Sequence, residues 1–439
     1  MENRRDSTLS SRAIITILAL GIILRLLALF ALAEAPLDSD ALAYHKTAVS
    51  ILSGEGVDPF WPPGLPLYLS VIYAIFGISE MVGRAAMIVF YVLMSAGLYW
   101  LARDLLNVRA ANLIVLVFTL FPTYIYHAVT PLTHLPVTAL LVLSIYAAYR
   151  LSRQSRPAFM LVLGLALGLM ILTRAGAMTL LAFIPLYLLI RTRRLLPVIV
   201  PALIALLIVG AYLLHLYQRD NHFIFINYAN SFNLFVGNNP DTPLYRTWLF
   251  ASDVQARTDQ FNLTNWYIIN TPPYEQDQLY REEAIAHIID RPDLFAVRTL
   301  SRMRAYFGFD TFTGARLIEE GITGTEGGLL VIALDAGFYM VIMGLALVYL
   351  FMRPTAPLPV PLLVGAALVY ALPYFIAFSH ATYHFPTTPL FALLAVGALA
   401  ERDLWPQVRE RRAFWLVVVI FAVIQVEWAI ELIGEFFAR

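Results

Sequence analysis

Residues 37–77 carry the sequence LDSDALAYHKTAVSILSGEGVDPFWPPGLPLYLSVIYAIFG, which directly follows the first long apolar run of the chain. Asp38 and Asp40 therefore stand where an apolar helix leaves a membrane. Lys46, the only lysine of the chain, follows one to two helical turns later. This arrangement favours a loop that holds a catalytic carboxylate at the membrane surface.

The composition indicates a membrane protein. Of 439 residues, 60% are hydrophobic and 14% are charged, and the mean hydropathy is +0.71, whereas soluble domains are nearer half apolar and a quarter charged. The first apolar run, Ala13–Ala33, is long enough to stay in the membrane, so we expect no cleavable signal peptide. The chain has no cysteine, which excludes disulfides and thiolate metal sites.

The apolar residues fall into blocks of about 18–22, the length that crosses roughly 30 Å of hydrocarbon. About eleven such blocks predict an all-α polytopic membrane protein. They lie near 13–33, 81–102, 110–128, 134–151, 158–174, 176–191, 195–217, 329–352, 357–378, 385–400 and 413–433. Arginines cluster before the first block and then between alternate blocks, which predicts a cytoplasmic amino terminus and an outer carboxyl terminus.

This topology gives the outer side two long loops and divides the chain into three regions. The regions are an N-terminal transmembrane module (1–217) with the candidate catalytic first loop (34–80), an amphipathic outer region (218–328), and the C-terminal transmembrane helices (329–439). We expect the outer region to pack over the first loop. No basic stretch of the type that binds nucleic acid is present, so no nucleic-acid partner is expected.

Two helices are predicted in the outer region, Tyr280–Ile289 and Asp293–Phe307. The second carries Arg298, Arg302 and Arg304, for which we expect a solvated or headgroup-facing surface. Two ionisable residues fall inside predicted spans, Arg25 in the first and Glu427 in the last. Packing or assembly contacts are the expected role of both.

Within the first loop, Asp40–Leu52 is predicted to form a helix that ends at Gly54. Asp40 and Tyr44 then share one face at a spacing of four residues. Leu67–Phe76 is apolar but too short to span, so it should lie at the interface or beside the bundle. Helix capping and solvation explain Asp38 and Asp40 equally simply. An Asp-x-Asp metal site of the nucleotide-sugar enzymes would require a soluble α/β domain, which the chain lacks.

Several stretches resemble the GT-C glycosyltransferases, and in particular the bacterial relatives of the protein O-mannosyltransferases and aminoarabinose transferases (glycosyltransferase family 39-like). In the first loop they are 40–54 (DALAYHKTAVSILSG), 62–69 (PPGLPLYL) and 75–77 (IFG), and later ones are 164–174 (GLALGLMILTR), 235–240 (FVGNNP) and 383–389 (YHFPTTP). The sequence departs from the family at three places. Ala41 stands where many members have Glu, Thr133-His134 where many have an acidic residue, and His384 where arginine is common.

The resemblance implies a GT-C fold and transfer of a sugar from a polyprenyl-phosphate carrier at the extracytoplasmic face of a bacterial inner membrane. The acceptor would be a protein, a glycolipid or a polysaccharide. By the motif, the catalytic aspartate falls on Asp40. No cofactor is required by this resemblance, although a divalent cation is possible, and membrane lipids are the surrounding partners.

The chemistry of such a transfer needs few groups. A polyprenyl phosphate leaves without a general acid, whereas the acceptor hydroxyl needs one positioned base and the departing phosphate needs cations or fixed dipoles. A glycosidase, in contrast, uses two carboxylates. We therefore expect a single in-line displacement with inversion at the anomeric carbon, with Asp40 as the general base.

Candidate ligands for the donor phosphate are the outer-side cations Lys46, Arg84, Arg174 and His384, with His380 as a further candidate. Each has a simpler alternative: Arg174 can snorkel to headgroups, Arg84 can anchor a helix at the interface, and Lys46 can lie on a solvated helix face.

Candidate substrate-binding residues are Asp38, Tyr44, His134 and Tyr383. His127 and His134 bracket a short outer loop and could bind a metal or the acceptor. Satisfied polar contacts at helix ends are nevertheless the expected role of this histidine pair, and no metal site is assigned.

Two other classes of protein fit the same hydropathy. A transporter or flippase of lipid-linked sugars should show interrupted spans, inverted repeats and charge near the membrane midplane, whereas this chain concentrates its charge and proline-rich loops on one face. A non-catalytic homologue that binds a lipid-linked sugar is the other alternative. Replacing Asp40 by Asn separates the enzyme from both.

Overall fold

The computed structural model describes residues 2–245, 272–352 and 358–438, and the regular secondary structure in these ranges is entirely helical. Its α-helices are α1 (Glu2–Ala31), α2 (Ser39–Ser53), α3 (Gly64–Phe76), α4 (Glu80–Ala86), α5 (Ile88–Leu105), α6 (Val108–Leu120), α7 (Pro122–Tyr126), α8 (His134–Arg153), α9 (Pro157–Thr173), α10 (Thr179–Thr192), α11 (Leu196–Asp220), α12 (Ala229–Gly237), α13 (Pro273–Asp290), α14 (Pro292–Tyr306), α15 (Phe312–Glu319), α16 (Thr325–Phe351), α17 (Val360–Ile376), α18 (Thr388–Ala400) and α19 (Arg412–Ala438). Short 3₁₀ segments cover Ala175–Met178, Ala381–Thr387 and Arg402–Glu410.

The predicted all-α polytopic fold is confirmed. Among the described residues, eight helical stretches are long and apolar enough to cross a membrane: Arg12–Ala31, Glu80–Leu105, His134–Arg153, Ala175–Thr192, Leu196–Asp220, Thr325–Phe351, Ala381–Ala400 and Arg412–Ile430. The other three apolar blocks form the shorter helices α6, α9 and α17. At 1.5 Å per residue, the 17 residues of α9 or α17 reach about 25 Å, so the number of eleven spans stays a prediction.

The centre of the bundle is formed by α8 and by the stretch Ala381–Ala400. In their most apolar windows, 78% and 83% of the residues are buried, against 17% for Arg12–Ala31 and for Arg412–Ile430 at the periphery. A helix buried on all sides needs apolar or paired side chains around its whole circumference. The two central helices therefore fix the frame on which the polar residues at their ends are held.

Close helix packing explains one of the sequence motifs. Gly164 and Gly168 on α9 face α11, and a Cβ atom at Gly168 would lie 2.9 Å from the Cδ1 atom of Ile208. Small residues four apart let two membrane helices approach closely. Arg25 on α1 is fully buried and donates to the carbonyls of Phe118 and Thr119 at 2.9 and 2.8 Å, so its expected role as a packing contact is confirmed.

The first loop forms two helices, much as predicted. The first, α2, begins at Ser39 instead of Asp40 and ends at Ser53, where Gly54 adopts the left-handed conformation with φ 82°. The second, α3, begins at Gly64, three residues before the predicted start. A Cβ atom at Gly64 would lie 2.7 Å from the backbone nitrogen of Thr173. Glycine therefore allows α3 to begin directly against the end of α9.

The described part of the outer region packs on the first loop, as expected. The backbone nitrogen of Tyr228 donates to Pro59 O at 3.1 Å, and the side chain of Asn227 donates to Phe60 O at 3.0 Å. The two helices predicted there are longer at their N-terminal ends, because α13 begins at Pro273 and α14 begins at Pro292.

The expected solvated arginine surface on α14 is wrong for two of its three residues. Arg298 and Arg302 are 2% and 0% exposed. Arg298 donates to Asn239 O at 3.0 Å, and Arg302 donates to Phe375 O at 3.1 Å. Each guanidinium satisfies backbone carbonyls that loops and helix ends leave open. Arg304 forms an ion pair with Glu427 on α19, which gives Glu427 the expected packing role.

Candidate active site

Asp40 lines a cavity of about 500 Å³ that is formed by the first loop, the outer region and the ends of the central helices. Seven of the residues singled out from the sequence as catalytic, phosphate-binding or substrate-binding line it, His380 among them. They are Asp38, Asp40, Arg84, His134, Arg174, His380 and Tyr383. Residues that lie more than 340 positions apart in the sequence therefore face one space.

The carboxylate of Asp40 is accessible from the cavity, yet the protein that surrounds the cavity still removes much of its hydration. This desolvation raises the pKa of Asp40, an effect that Arg174, the Ser39 hydroxyl and Arg316 oppose. A carboxylate with a raised pKa is a stronger base than one in free water. The position of Asp40 thus suits proton abstraction.

The residue before Asp40 has an unusual backbone. Ser39 has φ 45°, in the left-handed region, which costs a non-glycine residue about 1–2 kcal/mol. Such conformations persist where surrounding contacts fix the chain. Here the strain occurs at the first residue of α2, directly before Asp40.

Arg174, which immediately follows α9, supplies a cation to the same cavity. It donates to Tyr374 OH at 3.3 Å and Thr133 Oγ1 at 3.1 Å, and it lies 3.4 Å from His134 Nε2. Its guanidinium carbon is 5.2 Å from the centroid of the Tyr383 ring. In the described part of the chain no carboxylate lies within ion-pair distance of Arg174. Its charge is held by neutral groups and is available to an anion.

Tyr383 and His134 form the wall beside Arg174. The Tyr383 ring stacks on Tyr374 with the centroids 4.7 Å apart, and it lies parallel to the His134 ring at 6.4 Å. Tyr44 is buried behind this wall, with its ring 5.3 Å from that of Trp61. Burial raises the pKa of Tyr44, and the charge of Asp40 raises it further. Tyr44 is therefore a neutral neighbour of Asp40.

Arg84 borders the cavity but is committed to the backbone. It is 3% exposed, and it donates to Ala35 O at 2.8 Å and Val129 O at 3.4 Å. The cavity thus has a second guanidinium whose hydrogen bonds close two loops. Its assignment as a phosphate ligand stays a prediction, and these hydrogen bonds favour the alternative role of an anchor.

Two of the predicted phosphate ligands do not reach the cavity. Lys46 lies on the exposed side of α2. His384 is buried, with its Nδ1 atom 2.9 Å from Tyr306 O and its ring stacked on Tyr339 at 4.2 Å. His384 borders a separate cavity of about 10 Å³. The structure brings neither side chain to Asp40.

A group that sequence reasoning missed lies at the rim of the cavity. Arg316, on α15 of the outer region, forms an ion pair with Asp38 and lies 3.1 Å from Glu319 and 3.6 Å from Glu320. The hydrogen bond to Asp38 raises the pKa of Arg316. Tyr126 donates to Glu320 at 2.9 Å. No local pattern marks Arg316, because its partner lies 278 residues away in the sequence.

The histidine pair differs from its expected role. His127 is fully buried, and neither of its ring nitrogens has a hydrogen-bond partner among the described residues. The expectation of satisfied polar contacts is therefore wrong for His127. Burial lowers its pKa to about 4, so its ring is neutral at pH 7. Within the described ranges, no group of three or more His, Cys, Asp or Glu is arranged to hold a metal ion.

Comparison with known proteins identifies a family model and solved structures that are similar to this chain. Residues 61–217 match the family model described as Dolichyl-phosphate-mannose-protein mannosyltransferase. The fold is similar to that of the archaeal oligosaccharyltransferase AglB from Archaeoglobus fulgidus, in complex with an inhibitory peptide and a dolichol-phosphate, with a TM-score of 0.50. The chain has the fold of the GT-C glycosyltransferase superfamily. The GT-C resemblance named from the sequence is thereby confirmed.

The relation to AglB is distant. The chain is 15% identical to AglB over 95% of its own length but spans only about half of AglB, 54%. ArnT from Cupriavidus metallidurans bound to undecaprenyl phosphate is also 15% identical, with 90% of this chain and 80% of ArnT covered and a TM-score of 0.46. No curated protein sequence matches the chain significantly. The family model begins at Trp61, so it does not include Asp40.

Proposed function

We propose that this protein is an integral-membrane glycosyltransferase that moves a sugar from a polyprenyl-phosphate donor to an acceptor hydroxyl. The observation that carries the proposal is the pairing of Asp40 with Arg174 in one cavity. One is a desolvated carboxylate, and the other is a guanidinium held by neutral groups. The family description names a dolichyl-phosphate sugar, and the AglB structure contains a dolichol-phosphate, which supports a lipid-phosphate donor.

In the proposed reaction, Asp40 accepts the proton of the acceptor hydroxyl as its oxygen attacks the anomeric carbon. The bond between that carbon and the phosphate oxygen breaks, and its electron pair leaves with the lipid phosphate. Arg174 stabilises the charge that develops there, and attack from the opposite face inverts the anomeric centre. One base and one cation are sufficient because the phosphate leaves without protonation.

The donor would enter from the membrane with its phosphate beside Arg174. Tyr383 and Tyr374 give this position an aromatic wall, a surface suited to the apolar face of a sugar. Asp38 also lines the cavity, where Arg316 forms an ion pair with it, and it would contact the acceptor. The acceptor classes left open by the sequence are a protein, a glycolipid and a polysaccharide.

We propose that the protein lies in a bacterial inner membrane with its amino terminus in the cytoplasm and the cavity on the outer side. This orientation rests on the arginines between alternate spans. Because the chain has no cysteine, single-cysteine variants report sidedness directly. A cysteine at Glu55 in the first loop should react with an impermeant maleimide in intact cells. Labelling only after the membrane is opened would reverse the orientation.

Transfer itself is tested by replacing Asp40 with Asn, which keeps the shape and removes the base. We expect kcat to fall by about 10²–10⁴-fold, while the purified variant keeps its melting temperature and still binds polyprenyl phosphate. The matched control is Glu55→Gln, the same change at an exposed position of the first loop. Unchanged transfer by Asp40→Asn would exclude Asp40 as the base. Donor binding without transfer in the wild type would indicate a non-catalytic binding protein.

A further inference from the structure

The helix α14 of the outer region has its polar and apolar faces reversed relative to a soluble surface helix. Its outward side carries Val297, Leu300 and Met303, which are 41%, 67% and 37% exposed. Its inward side carries Arg298 and Arg302, which are buried and bound to carbonyls. A residue spacing of three keeps the first set on one face, opposite the two arginines. A surface helix in water normally shows the opposite arrangement.

Contacts with α17 determine the level at which α14 lies along the helix bundle. Arg302 donates to the carbonyls of Phe375 and Ile376, the last residues of α17. That helix exposes Leu368, Leu372 and Ile376 by 43–46%, so it presents an apolar stripe to the lipid. With 17 residues, α17 reaches about 25 Å, short of the roughly 30 Å of hydrocarbon. The space left at its end is where α14 lies.

A second contact, with α19, independently determines the level of α14 along the bundle. Arg304, one turn beyond Leu300, pairs with Glu427 on α19. The residues flanking Glu427 on that helix, Val426 and Ile430, are 59% and 64% exposed. They belong to a stretch that is apolar enough to span the membrane. The C-terminal end of α14 is therefore level with lipid-facing side chains and not above them.

We propose that α14 is an interfacial helix whose outward face, Val297, Leu300 and Met303, rests in the lipid of the outer leaflet. Apolar side chains gain free energy at this boundary, and the buried arginines make their contacts inside the protein instead of with headgroups. The same helix places Tyr306 6.1 Å from Tyr374 (ring centroids), and Tyr374 contacts Arg174. A lipid-seated helix thereby supports the aromatic wall of the cavity.

The test uses the absence of native cysteine. Single cysteines at Leu300, at Val423 as a lipid-facing reference on α19, and at Glu283 as an aqueous reference on α13 are spin-labelled in the full-length protein in nanodiscs. Collision rates with oxygen, which partitions into lipid, and with a water-soluble nickel chelate are then measured. We expect the label at Leu300 to match Val423, with several-fold less nickel collision than the label at Glu283.

Nickel collision at Leu300 equal to that at Glu283 would overturn the proposal, because the face would then be in water. Low collision with both reagents would overturn it as well, because protein or a second copy of the chain would then cover the face. Val297→Cys repeats the measurement on the same face, so that a folding defect of one variant does not decide the result. Neither outcome depends on the proposed transfer activity.

Discussion

Replacing Arg174 by Gln tests the charge that the proposed mechanism places at the donor phosphate. In the free protein this guanidinium makes two neutral contacts, to Tyr374 OH at 3.3 Å and to Thr133 Oγ1 at 3.1 Å. Two charge-assisted contacts to a phosphate contribute about 1.5–3 kcal/mol each, and two neutral contacts about 1 kcal/mol each. The net difference centres on about 2.5 kcal/mol, which corresponds to roughly 70-fold in Kd.

The assay is binding of polyprenyl phosphate to the purified protein in nanodiscs, followed by a pH profile of transfer. Arg174 lowers the pKa of Asp40, which desolvation has raised. The base is active when ionised, so kcat/KM falls as pH falls through this pKa. Without Arg174 the pKa of Asp40 rises further, and the acid limb of the profile should move to higher pH.

The matched control is Arg194→Gln, the same change at an exposed arginine between α10 and α11, for which Kd and the pH profile should stay unchanged. A loss of affinity below about threefold at Arg174 would refute its role at the phosphate, since even one charge-assisted contact is expected to contribute more. An acid limb that moves to lower pH would refute the electrostatic coupling to Asp40.

Arg84→Met leaves two backbone carbonyls without their donor, so we expect the unfolding free energy to fall by about 1–3 kcal/mol in a thermal melting experiment. The Kd for the donor at low temperature should change little. An unchanged melting temperature with a weakened Kd would make Arg84 a phosphate ligand. Arg316→Gln removes another cation that lowers the pKa of Asp40, so the acid limb of the pH–rate profile should move to higher pH, and no movement would contradict the coupling. Gly168→Leu forces a side chain into α11 and should cost about 1–3 kcal/mol by overpacking in a melting experiment, whereas Gly210→Leu, which meets no atom within 4 Å at Cβ, should not.

The fold could largely be predicted because each membrane span is a continuous run of apolar residues in the sequence. The apolar blocks are helical, and Gly54 in its left-handed conformation ends α2. Helices cover most of the described residues of every block, but which blocks form one continuous helix could not be predicted. The helix α6 ends at Leu120 because Pro122 begins a separate short helix, so one apolar block of 19 residues became two pieces.

The site could be predicted only in part, for a physical reason. Asp40 and Arg174 were identified because each is a charge beside an apolar run, an arrangement that costs free energy unless it serves a purpose. Arg316 carries no such mark, because it lies in a mixed polar segment. The inward direction of Arg298 and Arg302 depends on carbonyls contributed by distant loops. Periodicity alone could not reveal those acceptors.

The wall of the cavity has a consequence for how the protein is made. It joins residues of the first loop to Arg316 and to Tyr383, so the ribosome must produce almost the entire chain before the cavity exists. Until then, Asp40 emerges from the translocation machinery without Arg316 beside it or Tyr383 facing it. A nascent chain arrested before Ala381 would contain Asp40, Arg174 and Arg316 but would lack Tyr383, which lines the cavity. Completion of the cavity is thus tied to synthesis of the stretch Ala381–Thr387.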